Sequence, residues 1–285
     1  MTEISFIAKI TNSILKFTKP DYMDSSEKVA EFLEEKTDSA NPVKSVFKSF
    51  EFNGMKVFNY GDENSKNMIL FMHGGAYVNE INYQHHLYCL KLARNLNAYV
   101  LCPVYPLAPS HHAKETYDLI TELYKSLIEN NHNLTLMGDS AGGGFVLGFC
   151  QYLNTINLPQ PDHIVVFSPW VDISMYNSPY DGEDDPILGE VGLREMGKRW
   201  AGHWDAKDFK VSPLYGDNRG LADTLVFAGT NEIFYNDIKK YVERLEDDNV
   251  NVKFITGNGL FHIYPLFPIP EAKNAFKIVK KEIMD

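Results

Sequence analysis

The sequence predicts an α/β fold, a mostly parallel central sheet flanked by helices and preceded by an N-terminal helical cap. Two observations predict it. Short apolar runs alternate with longer helix-like stretches through most of the chain, and the runs are apolar on both faces, as strands covered from both sides must be. In addition, a glycine-flanked serine stands where one of these runs meets the helix that follows it.

The elements follow in order. Ile4, Ile7, Ile10 and Ile14 recur at helical spacing near Phe6, Leu15 and Phe17, and Pro20 ends the run. A second helix over Ser25 to Lys36 aligns Val29, Phe32 and Leu33. Such a first helix could lie on a membrane surface, but its polar face lacks the lysine and arginine enrichment usual there, so it is expected to pack on the protein's own body. Residues 1–42 form the predicted cap, and residues 43–285 the main domain. The main domain opens with a hairpin turning at Asn53-Gly54, flanked by Val46, Phe47, Phe50 and Phe52 on one side and Met55, Val57 and Phe58 on the other. Strands are then predicted at Met68–Met72, Ala98–Val104, Leu134–Met137, His163–Phe167, Leu225–Ala228 and Val250–Ile255. Helices are predicted at Tyr83–Asn97, Ala113–Asn130, Phe145–Asn154 and Asp237–Asp247. The alternation breaks at about 170–222. An insertion there would sit over the carboxyl ends of the strands, where such sheets bind ligands. Its Trp170, Trp200 and Trp204 would wall a pocket or belong to the core.

Composition narrows the function. The 285 residues carry 38 acidic and 27 basic side chains, a net charge of −11. That balance argues against a nucleic-acid partner, which calls for a basic surplus. With 44% apolar residues, the chain can build a sizeable core. No apolar run reaches the roughly 20 residues that span a bilayer. The N-terminus does not read as a secretory signal, and Asn133-Leu-Thr135 lies inside a strand-like run, so it is not read as a glycosylation site. Cys89, Cys102 and Cys150 show neither paired nor metal-binding spacing. The expectation is a cytoplasmic protein with reduced thiols and no metal or cofactor.

The chemistry concentrates in a few positions. Gly138-Asp-Ser140-Ala-Gly142 lies between a strand and a helix. There it forces Ser140 onto a strained turn that lifts its Oγ above the sheet, and neighbouring chains leave no room for a Cβ at the flanking glycines. His73-Gly-Gly-Ala76 follows an earlier strand and can turn N–H groups toward a developing oxyanion. Gly74, Gly75 and Ala141 are the expected donors, with His73 bracing the loop. A serine hydroxyl needs a base. Of nine histidines, His262 on the glycine-rich loop after the last strand fits the chain order serine, acid, histidine. The pairs His85-His86 and His111-His112 read as solvated, and His203 lies in the insertion. Glu232, just past Leu225–Ala228, fits the acid, and Asp237 and Asp172 are the other candidates. Gly192–Arg199 resembles a phosphate loop but lacks its final hydroxyl residue and a preceding strand. The Ser-x-x-Lys matches at Ser25–Lys28 and Ser45–Lys48 lie outside any glycine-rich elbow.

Taken together, His73-Gly-Gly-Ala, Gly138-Asp-Ser-Ala-Gly-Gly143 and Tyr105-Pro-Leu-Ala-Pro109 resemble the hormone-sensitive-lipase-like branch of the α/β-hydrolase fold. The resemblance implies a serine carboxylesterase acting on short- to medium-chain acyl esters through an acyl-enzyme intermediate, without cofactor and with a possible homodimer. Three positions depart from the family pattern. Ala76 replaces a third glycine, Val104-Tyr-Pro106 replaces Asp-Tyr-Arg, and Glu232 stands where an aspartate is usual. An amide-cleaving relative and a non-catalytic binding protein on the same fold are the alternatives. The latter is disfavoured because receptors of that kind have lost the histidine found here as His262.

Overall fold

The computed structural model describes residues 4–38, 46–129, 133–176 and 185–284. Two helices open it, α1 (Phe6–Thr18) and α2 (Ser26–Asp38). The α1 N-terminus is capped by Ser5, whose Oγ accepts from Ala8 N (3.1 Å) and donates to Glu271 (3.0 Å) on the last helix. The helix does rest on the protein's own body, though not through its apolar stripe. Ile4, Ala8 and Leu15 make the contact with the core. Phe6, Ile7, Ile10, Ile14 and Phe17 are exposed, and at helical spacing they fall within about 100° of arc. The helix is pinned through Ala8 and Leu15, on the side away from that arc. The expected boundary between residues 42 and 43 lies outside the described residues.

The hairpin forms where the Asn-Gly signal places it. Strands β1 (Ser49–Phe52) and β2 (Met55–Tyr60) pair antiparallel, and Asn53 (φ 48°) and Gly54 (φ 82°) supply the two left-handed residues that a tight hairpin turn requires. The remaining strands are β3 (Asn67–Met72), β4 (Ala98–Pro103), β5 (Asn133–Asp139), β6 (His163–Phe167), β7 (Asp223–Gly229) and β8 (Val252–Gly257). They assemble in the order β1-β2-β4-β3-β5-β6-β7-β8, with every pair from β4 onward parallel. The sheet therefore divides the interior into two apolar layers. Leu70, Leu136, Val166 and Val226 face one layer, while Ile69, Met137, Val165 and Leu225 face the other. That alternation of side-chain direction along strands buried on both faces is why they read as continuous apolar runs.

Helices α3 (Tyr83–Leu96), α4 (Ala113–Ile128), α5 (Ser140–Thr155), α7 (Tyr235–Asp247) and α8 (Pro270–Met284) cover the sheet. The expected last residue of α4, Asn130, is outside the described residues. The 170–222 stretch is not featureless. It contains α6 (Glu190–Ala201), which packs on α2 and on the turn at Asp21–Asp24. Gly192 and Gly197 belong to that helix, which excludes a phosphate loop. Trp170 and Trp200 are buried core residues, with Tyr77 stacked on Trp200 at 4.2 Å between ring centres. The three cysteines are buried and unpaired. Among the described residues no helix is long and apolar enough to cross a membrane.

The junction of β5 and α5 is packed to the limit. A Cβ on Gly142 would lie 2.0 Å from Met72 O and 2.6 Å from His73 O, both backbone atoms. Gly142→Ala is therefore expected to push β3 and α5 apart. It should cost about 3 kcal/mol or more and lower Tm by on the order of 10 °C, or prevent folding. A Tm unchanged in a calorimetric scan would show that the junction can yield.

Candidate active site

Ser140 is the first residue of α5, directly after β5, and it adopts φ 51°. A non-glycine residue with positive φ is strained, and surrounding structure must hold it there. Here the hold is double. Ser140 O accepts from Trp170 N at 2.9 Å, and Gly142 is wedged against the end of β3. The hydroxyl consequently stands above the carboxyl ends of the strands.

His262 lies on the loop after β8, 122 residues away in sequence, with Nε2 2.9 Å from Ser140 Oγ. Its Nδ1 faces Glu232 Oε2 at 3.4 Å. Facing a carboxylate, Nδ1 carries the ring proton, so Nε2 accepts the Ser140 O–H. Glu232 follows β7 on a loop stitched to the His262 loop. Thr230 N donates to Gly257 O (3.0 Å) and Asn231 N to Leu260 O (2.9 Å). Complete burial pushes the Glu232 carboxyl above its ordinary value, against the opposing pull of His262 and of the Ser168 hydroxyl.

Ser168, which sequence reasoning missed, couples the two loops. Its Oγ donates to Glu232 Oε2 (2.7 Å) and accepts from Ile263 N (2.9 Å). Its position just past β6 places it beside the same sheet edge, but a lone serine there carries no motif. Asp185 was missed as well. Its Oδ2 accepts from Ile233 N and its Oδ1 from Ile187 and Leu188 N, so it ties the Glu232 loop to the insertion.

The other candidate acids lie elsewhere. Asp172 is buried and spends its carboxylate on Ser174 N (2.9 Å), Ser174 Oγ (2.6 Å) and Tyr215 OH (2.9 Å). Asp237 lies buried in the first turn of α7. Among the described residues, Glu232 is the acidic side chain within ion-pair reach of His262.

The expected oxyanion donors need one correction. Gly74 N donates to Asp139 Oδ1 at 2.9 Å, so this N–H is already engaged. Gly75 (φ 125°) and Ala76 (φ 53°) turn the loop back on itself, with Val78 N and Asn79 N both donating to Gly75 O. Among the described residues the N–H groups of Gly75 and Ala76 have no acceptor. Ala141 lies in the first turn of α5, which has no side-chain cap, so its N–H is unpaired by construction. Gly75, Ala76 and Ala141 are the groups able to receive negative charge beside Ser140.

The histidine pair at 85 and 86 also departs from expectation. Both residues are buried, because they share the α3 face that packs Tyr88, Cys89 and Leu92 on the sheet. Asn82 N donates to His85 Nδ1 (3.1 Å), which leaves Nε2–H to donate to Asp139 Oδ2 (3.2 Å). Burial alone would raise Asp139, but the interaction with His85 and the Gly74 N–H bring its pKa below the ordinary carboxylate value. Asp139 thus anchors the glycine loop to the Ser140 turn from below. His73 donates from Nδ1 to Gly74 O (2.8 Å) and stacks on Tyr105, and burial lowers its pKa to about 4. It is a neutral brace. His111 is exposed and paired with Glu115, His112 donates to Arg199 O, and His203 lies near His112.

Ser140 and His262 open into a cavity of about 930 Å³. Its walls come from the N-terminal stretch (Tyr22, Met23, Lys36), the 104–111 segment, and Ile187 and Leu188 of the insertion. None of the three tryptophans lines it. Among the described residues no cluster of His, Cys, Asp or Glu could hold a metal ion.

Residues 69–266 match the sequence profile of a family described as alpha/beta hydrolase fold. An esterase of Acinetobacter venetianus is 29% identical over 216 residues, covering 73% of this chain and 71% of that one. An acetyl-hydrolase of Streptomyces hygroscopicus is 25% identical over 217 residues, covering 74% and 73%. Among solved structures, a hormone-sensitive lipase from a metagenome library superposes with a TM-score of 0.83 at 22% identity, covering 99% of each chain. An esterase/lipase from an uncultured bacterium gives 0.83 at 24%, covering 98% of each.

Proposed function

The chain belongs to the α/β-hydrolase family, and from that premise we propose that it is a carboxylic ester hydrolase with Ser140 as nucleophile, His262 as base and Glu232 as the orienting acid. The observation that carries this reading is the 2.9 Å contact between His262 Nε2 and the hydroxyl of Ser140, which is held at φ 51° on its turn.

As His262 Nε2 takes its proton, Ser140 Oγ bonds to the ester carbonyl carbon. The carbonyl electrons move to oxygen, and that oxyanion lies against the N–H groups of Gly75, Ala76 and Ala141. Glu232 holds the Nδ1–H tautomer and stabilises the imidazolium. The intermediate collapses when the ester C–O bond breaks and the leaving alcohol takes the proton from His262. Water then attacks the acyl group with His262 again as base, releasing the acid and restoring the serine. The names of the Acinetobacter and Streptomyces relatives support the ester as substrate.

A fluorophosphonate probe tests the assignment directly. The expected result is a single label on Ser140, with loss of p-nitrophenyl butyrate hydrolysis in proportion to labelling. A label on another serine, or full labelling with activity retained, would overturn it.

A further inference from the structure

A second cavity, of about 650 Å³, adjoins the first. Glu80, Ile81, Val104, Pro106 and His111 line both. From that shared wall the groove runs to the β1–β2 hairpin, where Phe47, Met55, Phe58 and Tyr83 complete its sides, with Leu119 of α4. The floor is apolar. Its buried histidine, His86, is hydrogen-bonded to Tyr60 and stacked on Phe47 at 4.0 Å, and burial lowers its pKa to about 4, so it brings no charge. Charged groups at the rim, Lys56 and Glu80, are of opposite sign, and Lys56 lies over the Phe58 ring.

At the join between the cavities, the apolar side chains of Val104 and Pro106 line both. Tyr105 between them is held by its hydroxyl, which donates to His73 O (2.6 Å). Burying an alkyl chain along such a surface is favourable.

On this basis, and resting on the esterase reading above, we infer that the groove is an extension of the active site that takes a long alkyl chain of the ester, passed from the Ser140 cavity over Val104 and Pro106. The substrates are accordingly lipid-like esters with a long alkyl chain rather than acetyl esters. Either arm of the ester can carry that chain.

The test uses two series, p-nitrophenyl acylates and alkyl butyrates, each from short to decyl length. Each methylene drawn into the groove contributes up to about fourfold in kcat/KM. The full protein is expected to favour the decyl member over the butyl one by at least about tenfold in one series, which names the arm. Ile81→Trp, filling the join, and Pro106→Arg, placing a charge there, should each erase that preference, read as the ratio of decyl to butyl kcat/KM. Phe47→Ser, at the far end, should lower only the longest members. Calorimetric titration of Ser140→Ala with ethyl decanoate and ethyl acetate gives a readout independent of turnover. Decanoate should bind at least about tenfold tighter, and Ile81→Trp in that background should remove the difference. A flat length profile in both series, a decyl preference that survives both join variants, or equal affinity for the two ethyl esters overturns the inference. Absence of any ester hydrolysis that Ser140→Ala abolishes would instead count against the esterase reading, and the titration would still decide the groove.

Discussion

Ser140→Ala is expected to lower kcat for p-nitrophenyl butyrate by at least about a thousandfold, with KM little changed. In the proposed mechanism the hydroxyl makes the covalent bond, so its loss removes the acyl-enzyme route and leaves only attack by water near the same N–H groups. Nucleophile and base act as a unit, so His262→Ala should cost about as much, and the double variant scarcely more than either. Ala retains the packing and keeps a residue with a Cβ at a strained φ, so the fold should persist. Steady-state kinetics with a matched circular-dichroism spectrum check the result. A folded Ser140→Ala protein at near wild-type rate would mean that the reaction runs elsewhere.

Glu232→Gln is the second large effect. The amide keeps the shape and the contact with Ser168 but loses the charge that stabilises the imidazolium, and it can present an N–H to Nδ1, favouring the wrong ring tautomer. The expected loss in kcat is on the order of a thousandfold. Asp172→Asn and Asp237→Asn should leave kcat within about tenfold, since Asp172 is committed to Ser174 and Tyr215, and neither contacts His262. Any cost there should fall on stability, read as Tm. If Asp237→Asn abolished turnover in a folded protein while Glu232→Gln did not, the acid would have to be reassigned.

Local chemistry with a short range was legible in the sequence. The parallel strands announce themselves because both of their faces are buried, and the hairpin because Asn-Gly suits two consecutive left-handed residues. Ser140 and His262 follow from one glycine-bound turn and one rule of chain order. What escaped depends on contacts between distant segments. Ser168 acts through Glu232 and Ile263, which lie 64 and 95 residues away. The burial of His85 depends on which side of α3 meets the sheet, and polar residues there conceal the pattern. Gly74 looked like a donor until the carboxylate of Asp139, 65 residues on, proved to occupy it. The open apolar arc of α1 was hidden for the opposite reason, since apolar spacing reports a face but not what covers it.

The proposed catalytic groups and the walls around them have separate origins. Ser140, Glu232 and His262 stand at the tips of β5, β7 and β8, whereas the cavity is bounded by the N-terminal stretch, the 104–111 segment and residues 187–188. Drift in those bounding stretches can reshape what is admitted without disturbing the bond-making geometry. Selectivity in this protein is thus free to evolve quickly on a scaffold whose chemistry stays put, and a library confined to the enclosing segments is the economical route to altered preference.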